Sequence, residues 1–177
     1  MAGTQSQLVA SGAFRIFSAA DAESITELLS DIFGRDDITV LAADWRGIVY
    51  FTLAADSEID AQTVVGFDAA SGSSGPLATV AEVLAAVDDG DIVEAVDGES
   101  FDEWRDATGI DRIGMGECVP PVLPEFLGGD PAERAAAPLD LISHIASSAA
   151  IMARLEALGV QPGEEIPEAV FDNDRWE

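Results

Sequence analysis

Apolar residues recur at helical spacing in two long segments of the chain. In residues 22–33 they follow Ser18, which stands where a helix N-cap is expected, and the pattern stops at Gly34. The longer segment, residues 139–158, keeps one apolar stripe as far as Gly159. These patterns predict a first helix and a long C-terminal helix.

Two shorter helices are predicted between these segments. Thr79 and Ser100 each precede a glutamate by three positions, which is the spacing of a capping box. The first pattern stops at Gly90 and the second at Gly109, and glycine is the usual residue just beyond a helix end.

β-Branched and aromatic residues dominate three short runs, at 38–44, 47–53 and 64–67. The first two runs are nearly contiguous and predict an antiparallel hairpin that turns at residues 44–47. Serine and glycine fill residues 71–76, which predicts a flexible loop.

The order of these elements predicts an α+β fold. We expect a small, mainly antiparallel sheet flanked by helices, with the long C-terminal helix packed against it. A chain of 177 residues fits one domain, which we place at residues 1–159 with residues 1–12 frayed. Residues 160–177 are expected to form an acidic C-terminal tail.

One segment, residues 113–129, combines four glycines and three prolines with many apolar residues. Glycine and proline at this density favour special backbone geometry rather than a helix or a central strand. The apolar residues predict that the segment is buried. We expect its glycines to give backbone freedom and Glu117 to cap nearby amides.

The chain carries 34 acidic residues against eight arginines, a net charge of −26. Such a surface repels nucleic acid and anionic membranes and attracts basic proteins. A host-wide acidic composition is the alternative explanation. No apolar run is long enough for a membrane span and no signal peptide is visible, so the sequence predicts a cytoplasmic protein.

The residues give no sign of catalysis, a metal site or a cofactor. The only histidine is His144 and the only cysteine is Cys118, so a zinc site has too few ligands, and no nucleophile elbow is present. The acidic run fails the calcium-loop pattern, because counting from Asp89 places Glu94 where glycine is needed. The sequence predicts a non-enzymatic protein; the alternative is a small ligand-binding domain or enzyme with a pocket near Trp45, Trp104 and His144.

The acidic residues are most concentrated in the region of the shorter helices. Between residues 82 and 106 there are ten acidic residues and one base, Arg105. A solvated face is the default interpretation, and a partner-binding surface is the functional one. The predicted partner-binding residues are Asp88, Asp89, Asp91, Glu94, Asp97, Glu99, Asp102, Glu103 and Asp106.

Residues 113–130, followed by 139–145, resemble the C-terminal signature of the GAD-like bacterial immunity family. The resemblance covers residues 37–150 and is most specific at a Gly-Glu-Cys step and a Leu-Gly-Gly step. It implies a type VI secretion immunity protein that binds and neutralises a cognate toxin. In that family such proteins protect cells from a DNase effector. The motif residues are Gly114, Gly116, Glu117, Leu127, Gly128 and Gly129.

Overall fold

A six-stranded antiparallel sheet forms the centre of the protein. The computed structural model describes residues 5–54, 62–161 and 164–172. The strands lie in chain order across the sheet, each paired with the next. They are β1 (Gln7–Val9), β2 (Phe14–Ile16), β3 (Ile38–Asp44), β4 (Ile48–Leu53), β5 (Thr63–Asp68) and β6 (Ser73–Thr79). A separate two-stranded ladder pairs β7 (Glu117–Cys118) with β8 (Leu139–Asp140).

Helices cover both faces of this sheet, which confirms the predicted α+β fold. They are α1 (Ala19–Phe33), α2 (Val80–Asp89), α3 (Ile92–Ala95), α4 (Gly98–Thr108) and α5 (Leu141–Ala157). Two of the three predicted caps form: the Ser18 hydroxyl accepts the amide of Asp21, and Thr79 and Glu82 make a reciprocal capping box. The predicted cap at Ser100 is wrong, because this residue lies inside α4. None of the helices in the described ranges is long and apolar enough to cross a membrane.

The first face of the sheet packs against α1 and α5. Phe51 and Phe67 project from neighbouring strands towards Leu29 of α1, while Leu141 and Ile145 of α5 complete the same cluster. Side chains alternate between the two faces along a strand, so residues two apart share one core. The long C-terminal helix is therefore part of the main core, as the sequence predicts.

The second face packs against α3 and α4. Tyr50 and Trp45 belong to this cluster, together with Val96 after α3 and Phe101 and Trp104 of α4. Phe101 and Trp104 are three positions apart on α4, so both lie on the buried side of the helix. Asp102 and Glu103, between them, are exposed to solvent. This arrangement fixes the acidic helices on one face of the sheet.

Three predictions of local structure differ from the observed fold. Residues 73–76, expected in a flexible loop, belong to β6, an edge strand where serine and proline are tolerated because one side needs no ladder hydrogen bonds. Residues 7–9, expected to be frayed, form β1 against β2. Helix α4 begins at Gly98, before Ser100.

The segment 113–129 is only partly buried, which corrects the prediction for its second half. Ile113, Cys118 and Val119 are fully buried, but Val122 is 60% and Leu123 44% exposed. The chain turns outward after two prolines and returns through the bridge between Pro121 and Arg134. Residues 122–133, between these two bridge partners, therefore form a loop at the surface, which we call the surface excursion. The chain before it, at Cys118 and Val119, is anchored in the core.

The described part of the tail docks on α5. Val170 is fully buried, and its carbonyl accepts a hydrogen bond of 3.0 Å from Nη1 of Arg154. The remainder of the predicted tail, residues 162–163 and 173–177, lies outside the described residues.

Candidate functional site

The predicted partner-binding residues lie on three consecutive helices and form what we call the acidic surface. It comprises Asp88, Asp89, Asp91, Glu94, Asp97, Glu99, Asp102, Glu103 and Asp106, and all nine are exposed. Helices α2, α3 and α4 contact one another in sequence, so these residues share one side of the molecule.

The acidic surface has almost no internal charge compensation. Arg105, the one base within it, donates to Asp102 at 2.8 Å and to the carbonyl of Asp111 at 2.7 Å. Its guanidinium also lies 5.6 Å from the ring centroid of Phe101. Among the described residues, no ion pair reaches the other eight carboxylates of the surface. The negative charge of these helices is therefore directed at solvent.

A cleft of about 540 Å³ opens between α4 and the returning arm of the surface excursion. We call it the tryptophan cleft. This volume is in the range of roughly 300–1,000 Å³ that small-ligand sites occupy. Its lining residues are Trp45, Asp97, Ser100, Glu103, Trp104, Pro131, Ala132 and Arg134.

Both indoles of the cleft are held by hydrogen bonds to backbone carbonyls. Trp45 Nε1 donates to Val96 at 2.8 Å, and Trp104 Nε1 donates to Ala135 at the same distance. Each indole N–H is therefore already paired, and the rings contribute rigid apolar walls.

Arg134 brings the only positive charge to the lining of the cleft. Its guanidinium lies 5.1 Å from the ring centroid of Trp45, a cation–π contact. Burial lowers the pKa of Arg134, and the nearby charge of Arg46 adds to this effect. Arg134 is not predicted from the sequence, because nothing in the run after Pro131 indicates that the chain folds back over Trp45.

His144 lies away from the tryptophan cleft, which corrects the grouping of Trp45, Trp104 and His144. Its ring packs against the β3–β4 turn, where a Cβ on Gly47 would stand 3.1 Å from His144 Cδ2. Nε2 is buried without a hydrogen-bond partner among the described residues. Burial lowers the pKa of the partly buried His144, against an opposing effect of Asp68, and so favours the neutral ring.

Cys118 has the properties of an inert core thiol. It is fully buried in β7, and burial raises the pKa of its thiol to about 12. A thiol with so high a pKa supplies almost no thiolate near neutral pH, so it is a poor nucleophile. No group of three or more metal-binding side chains occurs in the described ranges.

A buried polar network lies under the hairpin turn and was also missed by the sequence analysis. Arg15 and Asp44 are both fully buried. Arg15 donates through Nη2 to the carbonyl of Asp44 at 2.5 Å and through Nη1 to the carbonyl of Glu117. The carboxylate of Asp44 in turn accepts from Arg46 and from Tyr50. This network joins β2, β3, β4 and β7 and is structural, because it lies inside the fold.

The motif residues of segment 113–129 have structural roles of different kinds. Glu117 Oε2 accepts a hydrogen bond of 2.6 Å from the amide of Gly114, so the carboxylate caps a nearby amide as expected. Gly128 has a left-handed φ of +86°, and a Cβ on Gly129 would collide with the carbonyl of Leu123. Gly116 has open space at the Cβ position and needs no glycine for steric reasons.

Leu127, the remaining motif residue, lines a second cavity of about 680 Å³ between the surface excursion and the end of α5. The lining of this cavity contains no residue of α2, α3 or α4.

No family model matches this chain, and no curated protein does. The resemblance to GAD-like immunity proteins therefore remains a hypothesis.

Proposed function

We propose that this chain is a non-enzymatic binding protein that neutralises a basic partner protein through the acidic surface, as an immunity protein neutralises a toxin. The observation that carries the proposal is the charge of α2–α4: eight exposed carboxylates with no ion-pair partner among the described residues. Concentrated, uncompensated charge of one sign accelerates association with a partner of the opposite sign.

A nuclease is the partner class that we favour. A DNase needs a basic cleft to hold phosphates, and a carboxylate-rich protein can compete for such a cleft. The resemblance to type VI secretion immunity proteins points to the same class. Localisation in the cytoplasm, where such a toxin would act on DNA, is part of this proposal.

The test compares two variants that remove the same charge from different surfaces. Glu94→Gln, Glu99→Gln and Asp106→Asn together neutralise part of the acidic surface. Three exposed residues of α1, Glu23, Glu27 and Asp31, are changed to their amides as the matched control. Each protein is used at moderate salt to capture its partner from the source lysate, and the captured protein is assayed for nuclease activity with and without the chain.

We expect the acidic-surface variant to lose roughly tenfold in affinity and to inhibit the nuclease less, while the control behaves as wild type. Equal losses in both variants would mean that only the overall charge matters. Capture of many basic proteins that wash off with salt would support a host-wide acidic composition instead.

A further inference from the structure

The acidic surface borders a concave point at the tryptophan cleft. Asp97 and Glu103 line the tryptophan cleft, whereas the other seven carboxylates of the surface do not. Two carboxylates therefore border a cavity of about 540 Å³ whose walls include an indole. A partner side chain that enters this cavity would leave water and meet both carboxylates at once.

The cleft offers unused hydrogen-bond acceptors. Within the described part of the chain, the side chains of Asp97, Ser100 and Glu103 make no hydrogen bond or ion pair with one another or with other residues. The indole N–H of Trp104 is already bonded to a carbonyl. A ligand for this cavity must therefore bring donors of its own.

The charge of the lining also favours a cation. Two carboxylates stand against the single guanidinium of Arg134, which leaves one net negative charge. Arg134 is held over Trp45 and, in the part of the chain that the structure describes, forms no ion pair with Asp97 or Glu103. Burial has the largest effect on the pKa of Arg134 and lowers it, whereas the charge of Asp97 acts to raise it. The two groups therefore interact through space without a direct ion pair, and Glu103 adds the second negative charge of the lining.

The backbone of Asp97 is in an unusual conformation that keeps its carboxylate free. Its φ of 57° lies in the left-handed region, and its side chain does not cap the first turn of α4 although it occupies the N-cap position. An aspartate at a helix start ordinarily accepts an amide of the first turn. Here the carboxylate stays available at the mouth of the cleft.

We propose that the tryptophan cleft is the subsite that receives an arginine side chain of the basic partner. Arginine carries five donors in a planar fork, which suits the unused acceptors of Asp97, Ser100 and Glu103. Lysine has three donors on a compact and strongly hydrated charge, so it supplies fewer hydrogen bonds and gives up more hydration in the cleft. This inference rests on the proposed function and specifies where the acidic surface is most selective.

The test uses a short peptide, acetyl-Gly-Arg-Gly-amide, titrated into the isotopically labelled full chain and followed by NMR at the Trp104 indole and the Ser100 amide. Lysine and glutamine versions of the peptide are titrated in parallel. Asp97→Asn and Glu103→Gln are compared with Asp88→Asn and Asp89→Asn, which remove the same charge from the acidic surface outside the cleft. Asparagine tolerates a left-handed φ as aspartate does, so the Asp97 variant keeps its fold.

We expect the arginine peptide to bind more tightly than the lysine peptide and the glutamine peptide to be weakest. Asp97→Asn and Glu103→Gln should each weaken arginine binding by about two- to fivefold, and the two controls should change it little. Arg134→Gln should maintain or strengthen binding, because it removes a like charge from the cleft.

Several results would overturn the inference. Equal effects of all four carboxylate variants, equal binding of the glutamine peptide, or no shift at Trp104 and Ser100 would each rule out an arginine subsite. Loss of binding in Arg134→Gln, with inorganic phosphate shifting the same resonances, would identify an anion site. Partner capture is tested with Glu94, Glu99 and Asp106, none of which lines the cleft, so the proposed function can stand when this inference fails.

Discussion

Replacing Asp44 with alanine tests whether the buried polar network holds the hairpin and its neighbours together. The carboxylate is fully buried at the end of β3. Oδ2 accepts from Arg46 Nε at 2.9 Å and from the Tyr50 hydroxyl at 3.0 Å. Oδ1 accepts from the backbone amides of Arg46 at 2.9 Å and Ile48 at 3.1 Å. The alanine variant removes all four of these acceptor contacts.

The expected cost follows from what the missing carboxylate leaves behind. The hydroxyl of Tyr50 and two turn amides lose their acceptor, the guanidinium of Arg46 loses its ion-pair partner, and Arg15 loses a favourable negative charge. Removing one partner of a buried charge pair costs about 3–5 kcal/mol. Asp44→Asn keeps the shape and one carbonyl acceptor, so we expect a smaller loss of about 1.5–3 kcal/mol in the free energy of unfolding.

Urea unfolding followed by circular dichroism measures both variants, and a cycle with Tyr50→Phe isolates the contact with the hydroxyl. The control is Asp37→Asn, which breaks the exposed pair with Arg35 and should leave stability near that of wild type. If Asp44→Ala unfolds as the control does, the reasoning from burial and hydrogen bonds is wrong.

Three further predictions concern the core and the motif segment. The contribution of His144 to stability should decline as the pH falls below about 6.5, because the unfolded chain protonates His144 while burial holds its pKa lower in the folded chain. Urea midpoints of wild type and His144→Gln, measured from about pH 7.5 to 5.5, check this through their difference. Cys118 should react with a thiol reagent at pH 8 only after urea unfolding, and rapid reaction of the native protein would contradict its burial. Gly129→Ala should lower the melting temperature strongly and Gly116→Ala should barely change it, because only the first places a Cβ against backbone.

Local sequence signals predicted the regular elements well because their causes are local. The hairpin of β3 and β4, the caps at Ser18 and Thr79 and the stop at Gly34 depend on residues within a few positions of each other. Strand β6 was missed for the opposite reason. Its serine and glycine residues have weak strand propensity, and pairing with β5 at the sheet edge determines their conformation.

The tryptophan cleft could be predicted only in part. The pattern of α4 indicated that Trp104 would turn inward, and the sequence analysis placed Trp45 near it. The approach of Arg134 to Trp45 depends on a surface excursion whose path is set by long-range contacts, including the bridge to Pro121. The prediction that His144 lies near the two tryptophans was wrong. The position of α5 relative to the β3–β4 turn is set by long-range packing, and the sequence around His144 does not indicate it.

The hydrogen bond from Arg15 to Glu117 also bears on the order of folding during synthesis on the ribosome. The guanidinium of Arg15 donates to the carbonyl of Glu117, a residue 102 positions further along the chain. Until that carbonyl has left the exit tunnel, the nascent chain cannot give this cation its final partner, and burying it would carry a large desolvation cost. We therefore expect β2, which carries Arg15, to be fully buried only after residue 117 has emerged.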